Sequence, residues 1–219
     1  MINPVKGMEI KQLPEGHFLL RFHHIIDRNR ALAGCPWSFE KNILILNGVG
    51  ADENPIQVNL DWCDFFVHIH DLPLSKMNVG VATFIGNRLG KFRDMEIDER
   101  GCAWGATLRI RVSLNVNAPL KRALKISTPL GGEHVVSFTD ERLPNFCYLY
   151  CRLGHIGKYC EVAFAEGFID LGDDTPYGPW LRPPVSKPGQ FKSGIVEGSV
   201  SGNWCVGQIN VAVRIFWGI

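Results

Sequence analysis

The sequence predicts an α+β protein in which helices cover one face of an antiparallel sheet. Short runs with period-two alternation, such as Leu108-Arg-Ile-Arg-Val-Ser-Leu-Asn-Val, recur along the chain and are closed by Pro, Gly and Asn turns. Two stretches have helical period and helix-end signals, and they sit among strands without alternating regularly with them. That pattern belongs to an antiparallel sheet with segregated helices. With 219 residues, 46% hydrophobic and 21% charged, the chain can bury a core in one or two small domains.

In order, Met8-Glu-Ile-Lys-Gln-Leu and His17-Phe-Leu-Leu-Arg-Phe-His read as strands joined by a Pro14-Glu-Gly turn. A helix from Ile26 follows, with Asp27 as its cap candidate and Gly34 closing it, and then a single strand Phe39-Glu-Lys-Asn-Ile-Leu-Ile-Leu. The polar stretch Asn47 to Asp61 separates this from a second strand-and-helix unit. Its strand is Phe65-Phe-Val-His-Ile-His-Asp-Leu, and its helix is capped by Ser75 and ended by Gly90. Val81, Phe84, Ile85 and Leu89 recur at helical spacing and would face the core. Phe92-Arg-Asp-Met-Glu-Ile-Asp, a Glu99-Arg-Gly turn, Leu108 to Val116 and Ala123-Leu-Lys-Ile-Ser complete the sheet.

From Glu161 the patterning fades. Asp170 to Arg182 is rich in Asp, Gly and Pro, and Pro183 to Gly202 reads as a Pro/Gly/Ser-rich linker. Gln208-Ile-Asn-Val-Ala-Val-Arg-Ile-Phe-Trp is apolar enough to add a strand or to self-associate if exposed. The expected organisation is an α+β region over 1–140, a small Cys/His segment over 141–162, and a mostly irregular, mobile tail over 163–219.

Net charge is +1 and the pI about 7.6, so any polyanion-binding surface has to be local. No stretch approaches the apolar length of a membrane span and the start lacks a signal-peptide core, which points to an intracellular protein of the nucleus or cytoplasm. Seven cysteines, an odd number, favour free thiols over a disulfide scaffold. Cys35, Cys63, Cys102 and Cys205 are far apart and read as small buried hydrophobes.

Cys147, Cys151, His155 and Cys160 are the exception. Three thiolates and an imidazole within fourteen residues suit one tetrahedral zinc ion, and Gly154 and Gly157 let a short loop fold around it. The spacing is C-x3-C-x3-H-x4-C where a knuckle has C-x2-C-x4-H-x4-C, so Tyr150 stands at the usual second-cysteine position. One extra residue there is expected to spoil the tight turn whose N–H groups point at the first sulfur, and so to weaken the metal. In such a loop Tyr148 and Ile156 would form an apolar platform for unpaired bases, and Arg152 and Lys158 would meet phosphates. The same two platform residues could instead pack the loop against the preceding domain.

Trp104 to Leu130 carries Arg109, Arg111, Lys121, Arg122 and Lys125 and no acid, and Arg109 and Arg111 share one strand face. Together with the loop they could track a single strand through phosphate contacts. An ordinary solvated sheet face explains them equally well.

Gly34-Cys-Pro-Trp-Ser-Phe, Val67-His-Ile-His-Asp-Leu-Pro, Ile85-Gly-Asn-Arg-Leu-Gly, Arg109-Ile-Arg-Val-Ser-Leu-Asn-Val, Pro119-Leu-Lys-Arg, Glu141-Arg-Leu-Pro-Asn-Phe-Cys and Tyr177-Gly-Pro-Trp-Leu-Arg occur in this order. In that order they resemble the plant domain of unknown function that precedes a CCHC zinc knuckle in LINE-type retrotransposon proteins, over about Lys11 to Arg182. The resemblance implies nucleic-acid binding, an RRM-like fold for the first domain, and zinc on Cys147, Cys151, His155 and Cys160. The chain departs from the family at the shifted cysteine, at Phe66 in place of tryptophan, and in starting after the family's first strand and helix.

The expected function is non-catalytic binding of single-stranded RNA or DNA. The alternative is a protein-interaction or assembly module with a structural zinc loop and self-association through the apolar end or a free sheet edge. His68-Ile-His70-Asp71 has the form of a metallohydrolase motif, but no second ligand cluster and no nucleotide or hydrolase fingerprint accompanies it, so no enzyme is expected.

Overall fold

The computed structural model describes residues 2–97, 103, 105–127, 133–164, 177–183 and 210–216. The Glu99-Arg-Gly turn, Cys102, Cys205 and the Pro/Gly/Ser-rich stretch over 184–202 lie outside them. The class is α+β as expected, but the strands form two five-stranded antiparallel sheets. The first has the order β1 (Met8–Gln12), β2 (His17–Phe22), β10 (Asn210–Phe216), β4 (Asn42–Gly48), β3 (Trp37–Phe39). The second has β6 (Lys91–Met95), β7 (Leu108–Asn115), β5 (Trp62–His70), β9 (Glu133–Asp140), β8 (Ala123–Ser127).

β10 pairs antiparallel with both β2 and β4, with Val211 opposite Leu20 on one side and Gly48 on the other. β2 and β4 therefore run parallel to each other, one strand apart, and only an interposed strand can satisfy the facing backbone groups of both. Val211, Ala212 and Val213 are buried there. The apolar end of the chain thus adds a strand, at the middle of the sheet and not at its edge. In the second sheet β5 and β7 pair directly, so the two strand-and-helix units are not copies of one arrangement.

Other expectations are corrected in detail. The strand from Phe39 is a hairpin: Glu40 and Lys41 both have positive φ (48° and 64°) and form the two-residue loop between β3 and β4. That mirror-image turn usually announces itself with Asn or Gly. β9 is a further strand, with Val136, Phe138 and Asp140 buried at alternate positions. α1 (Ile25–Ala33) is capped by the His24 ring, which accepts from the Ile26 N–H, while Asp27 in its first turn accepts from the Lys6 N–H. α2 (Val79–Leu89) is capped by Asn78, and Ser75 lies in a preceding 3-10 turn.

The buried face of α2 is Ala82, Ile85 and Gly86, whereas Phe84 is exposed beneath Arg88. Small residues one turn apart let α2 approach β6: a Cβ on Gly86 would lie 2.7 Å from the Phe92 ring. A hydrophobic count favours the large residues and misses this. One apolar cluster runs through both sheets and on into Phe146, Cys151 and Leu153. Cys35 and Cys63 are buried in it as free thiols.

Alternation on β5 sends Cys63, Phe65, Val67 and Ile69 inward and leaves Asp64, Phe66 and His68 on the other face. Register places Arg111 opposite Phe66 and Arg109 opposite His68. Glu141 accepts from Arg109 through both oxygens (2.6 and 3.0 Å) and from His68 (2.6 Å). Arg111 pairs with Asp64 at 3.1 Å. Burial alone would raise the Glu141 pKa, but the hydrogen bonds from His68 and Arg109 outweigh it and bring it to about 2.

A depressed carboxylate stabilises the fold above its ordinary pKa of 4.5, and that contribution is lost as pH falls from 4.5 toward 2. The stability gap between the wild type and Glu141→Gln, read by urea unfolding, should be full above pH 4.5 and narrow by about 2 kcal/mol below it, discounted for partial exposure. A gap that does not change with pH contradicts this network.

Candidate metal centre and nucleic-acid interface

The Cys/His loop is built onto the sheets by its backbone. The Asn145 N–H donates to the Lys41 carbonyl (2.8 Å), the Gly154 N–H to Asn145 (3.1 Å), and Phe146 and Leu153 form an antiparallel bridge. Between them the chain turns tightly: the Cys147 N–H donates to Arg152 and the Cys151 N–H to Cys147, both at 2.8 Å. The N–H groups of Leu149 and Tyr150 point at the Cys147 sulfur. The turn expected to be spoiled by the extra residue is therefore intact.

The donor atoms of Cys147, His155 and Cys160 lie within 4.8 Å of one another, and all three residues are buried. Cys151, the remaining member of the four-ligand set read from the sequence, is not among them. With φ at 61°, Cys151 closes the turn in the left-handed region and turns its side chain into the apolar cluster. Its carbonyl accepts from the Leu120 N–H (2.9 Å), and burial, with the Asp140 charge nearby, pushes its thiol up to about 12.

Tyr150 stands where regular spacing would put the second cysteine, and its hydroxyl lies 3.3 Å from His155 Nε2 and hydrogen-bonds to Cys160. Burial raises the Cys147 and Tyr150 pKa values and lowers that of His155, so all three groups are held neutral until a cation arrives. Among the described residues His155 Nδ1 is buried with no hydrogen-bond partner. Two sulfurs and an imidazole beside a preformed turn suit zinc, which would supply cross-linking of the loop and favour the thiolate forms.

Around the centre, Arg152 and Lys158 are exposed, and Ile156 keeps 40% of its surface in solvent. Tyr148 is half-buried and tilted against Phe146, with ring centroids 4.9 Å apart. The basic strand is placed differently. Arg109 and Arg111 are only 15% and 18% exposed and are engaged by Glu141 and Asp64, so a phosphate would have to displace a carboxylate from either. Lys121 donates to the Arg88 carbonyl, and Arg122 lies 5.9 Å from the Tyr177 ring. His68 and His70 share a face as expected, and they bond to Glu141 and Thr139.

Zinc affinity, read by competition with a chromogenic chelator, should be unchanged in Cys151→Ala and fall roughly 100-fold or more in Cys147→Ser and Cys160→Ser. Loss of zinc in Cys151→Ala would return that sulfur to the coordination sphere.

Two family comparisons bear on this arrangement. Residues 1–55 match a domain of unknown function, DUF4283, and residues 114–162 match a zinc knuckle of the CCHC type. No curated protein and no solved structure matches the chain. The second match covers the Cys147–Cys160 loop together with the end of β7, β8 and β9, which agrees with a knuckle built onto the second sheet. The chain thus carries a DUF4283 domain followed by a CCHC-type zinc knuckle.

Proposed function

We propose that the protein binds single-stranded RNA or DNA without catalysis, through a zinc-loaded knuckle, and that it derives from a plant retrotransposon element. The observation that carries the reading is the knuckle surface: a preformed Cys147, His155, Cys160 centre displays exposed Ile156, Arg152 and Lys158, with no acidic residue between Cys147 and Cys160. An apolar contact flanked by cations suits a stacked base with its phosphates. The ordered resemblance to LINE-type proteins supports the origin. Nucleus and cytoplasm both offer such partners.

Affinity for a fluorescein-labelled single strand should fall linearly with the logarithm of salt, the slope dropping by about 0.7 for each phosphate contact removed. Arg152→Ala and Lys158→Ala should each weaken binding and flatten the slope. Arg109→Ala and Arg111→Ala should cost stability and leave the slope unchanged, because those side chains are committed to Glu141 and Asp64. Salt-independent affinity, or affinity indifferent to Arg152 and Lys158, contradicts the mechanism.

A second reading, assembly with other copies, is favoured by the place of β10. The slot between β2 and β4 makes the same hydrogen bonds whether its strand comes from the same chain or from another copy, so exchange needs no new contact. Ultracentrifugation over rising concentration should then show dimers that vanish when residues 210–216 are deleted. A monomer at every concentration contradicts it.

A further inference from the structure

A cleft of about 760 Å³ lies between the β3–β4 hairpin and the base of the knuckle. Trp37 and Tyr148 supply aromatic faces to its lining, Lys41, Arg142 and Arg182 supply cations, and among the described residues no Asp or Glu lines it. In a chain whose net charge is only +1, three cations converging without an acid are a local concentration of positive charge. The size is that of a small-molecule or nucleotide site.

The lining is held in place before any ligand arrives. The Trp37 indole N–H donates to the Ala31 carbonyl (2.7 Å), and its ring lies so close over Gly34 that a Cβ there would meet it at 2.7 Å. Arg142 Nη1 donates to the Gly34 carbonyl (3.1 Å). Arg182 donates to Leu143 (3.0 Å) and Pro144 (2.8 Å), with its guanidinium 5.1 Å from the Phe146 ring. Each arginine spends part of its five-donor fork on backbone and keeps the rest. Lys41 and Arg142 both sit at positive φ, 64° and 52°. Strained, non-glycine backbone carrying two cations to one rim is a feature that concentrates at ligand sites.

We infer that this cleft is a nucleotide seat: one base of a single strand lies against Trp37 and Tyr148, and its phosphate is held by Lys41, Arg142 and Arg182. Cations alone would suit any anion, and aromatic faces alone any apolar group; the two together select an anion with a π-face. Tyr148 belongs to both the knuckle loop and the cleft, so a strand lying on the knuckle continues into the seat. The inference rests on the single-strand reading above and extends its footprint to the first sheet. It also gives Tyr148 a second wall, Trp37, that the knuckle alone does not have.

The test uses zinc-loaded full-length protein and fluorescein-labelled oligouridylate and oligothymidylate of equal length, read by anisotropy. Lys41→Glu and Arg142→Glu, each checked for an unchanged thermal transition, should weaken both strands roughly tenfold. Ultraviolet cross-linking of oligouridylate to the wild type should mark the peptides holding Trp37 or Tyr148, a readout independent of any variant's folding. Cleft variants that bind as the wild type does, with cross-links elsewhere and binding still sensitive to Arg152→Ala, overturn the seat and leave the knuckle reading standing. Absence of binding by the wild type overturns both. Competition by polyglutamate as strong as by unlabelled oligonucleotide overturns the nucleotide assignment.

Discussion

The turn from Cys147 to Arg152 sets the position of everything that gives this molecule its chemistry. Two backbone hydrogen bonds close it, and two further N–H groups aim at the Cys147 sulfur. Once the turn is fixed, Tyr150 faces His155 and Cys160, Cys151 faces the core, and Tyr148 faces the cleft. The irregular cysteine spacing thus leaves the turn closed and places the Cys151 sulfur in the core, apart from Cys147, His155 and Cys160.

The turn in turn depends on the body beneath it. A module this short has no core of its own, and metal would be expected to supply its folding energy outright. Here Phe146, Cys151 and Leu153 belong to the same apolar cluster as both sheets, and the Leu120 N–H and the Lys41 carbonyl tie the loop to the β7–β8 connection and the β3–β4 turn. Burying three such side chains contributes several kcal/mol, on the order of 2 kcal/mol each for the larger two. The loop can thus keep its turn before zinc arrives, and zinc then has fewer conformations to select against. The same body relies on β10, without which β2 and β4 would face each other across an empty strand position.

Much of this was legible in the sequence where the cause is local. Alternation exposed β2, β5, β7 and β8, and the Cys/His grouping exposed the metal centre, because residue type and spacing act over a few positions. What stayed hidden is non-local. The Glu40–Lys41 turn carries no Asn or Gly, the buried face of α2 is made of Ala82 and Gly86, and the slot for β10 exists only once β2 and β4 are placed. A window count of charge found Arg109 and Arg111 but not their partners, since Asp64 comes from β5 and Glu141 from the residue after β9. The cleft is assembled from three distant segments, around Trp37, Tyr148 and Arg182, and no spacing rule joins them.

Cys147, His155 and Cys160 converge and Cys151 does not, so a bound zinc ion would have two sulfurs and not three among its neighbours. X-ray absorption at the zinc edge of the loaded full-length protein counts sulfur against lighter donors directly. Two sulfurs is the result that Cys147 and Cys160 require; three sulfurs would contradict the placement of Cys151.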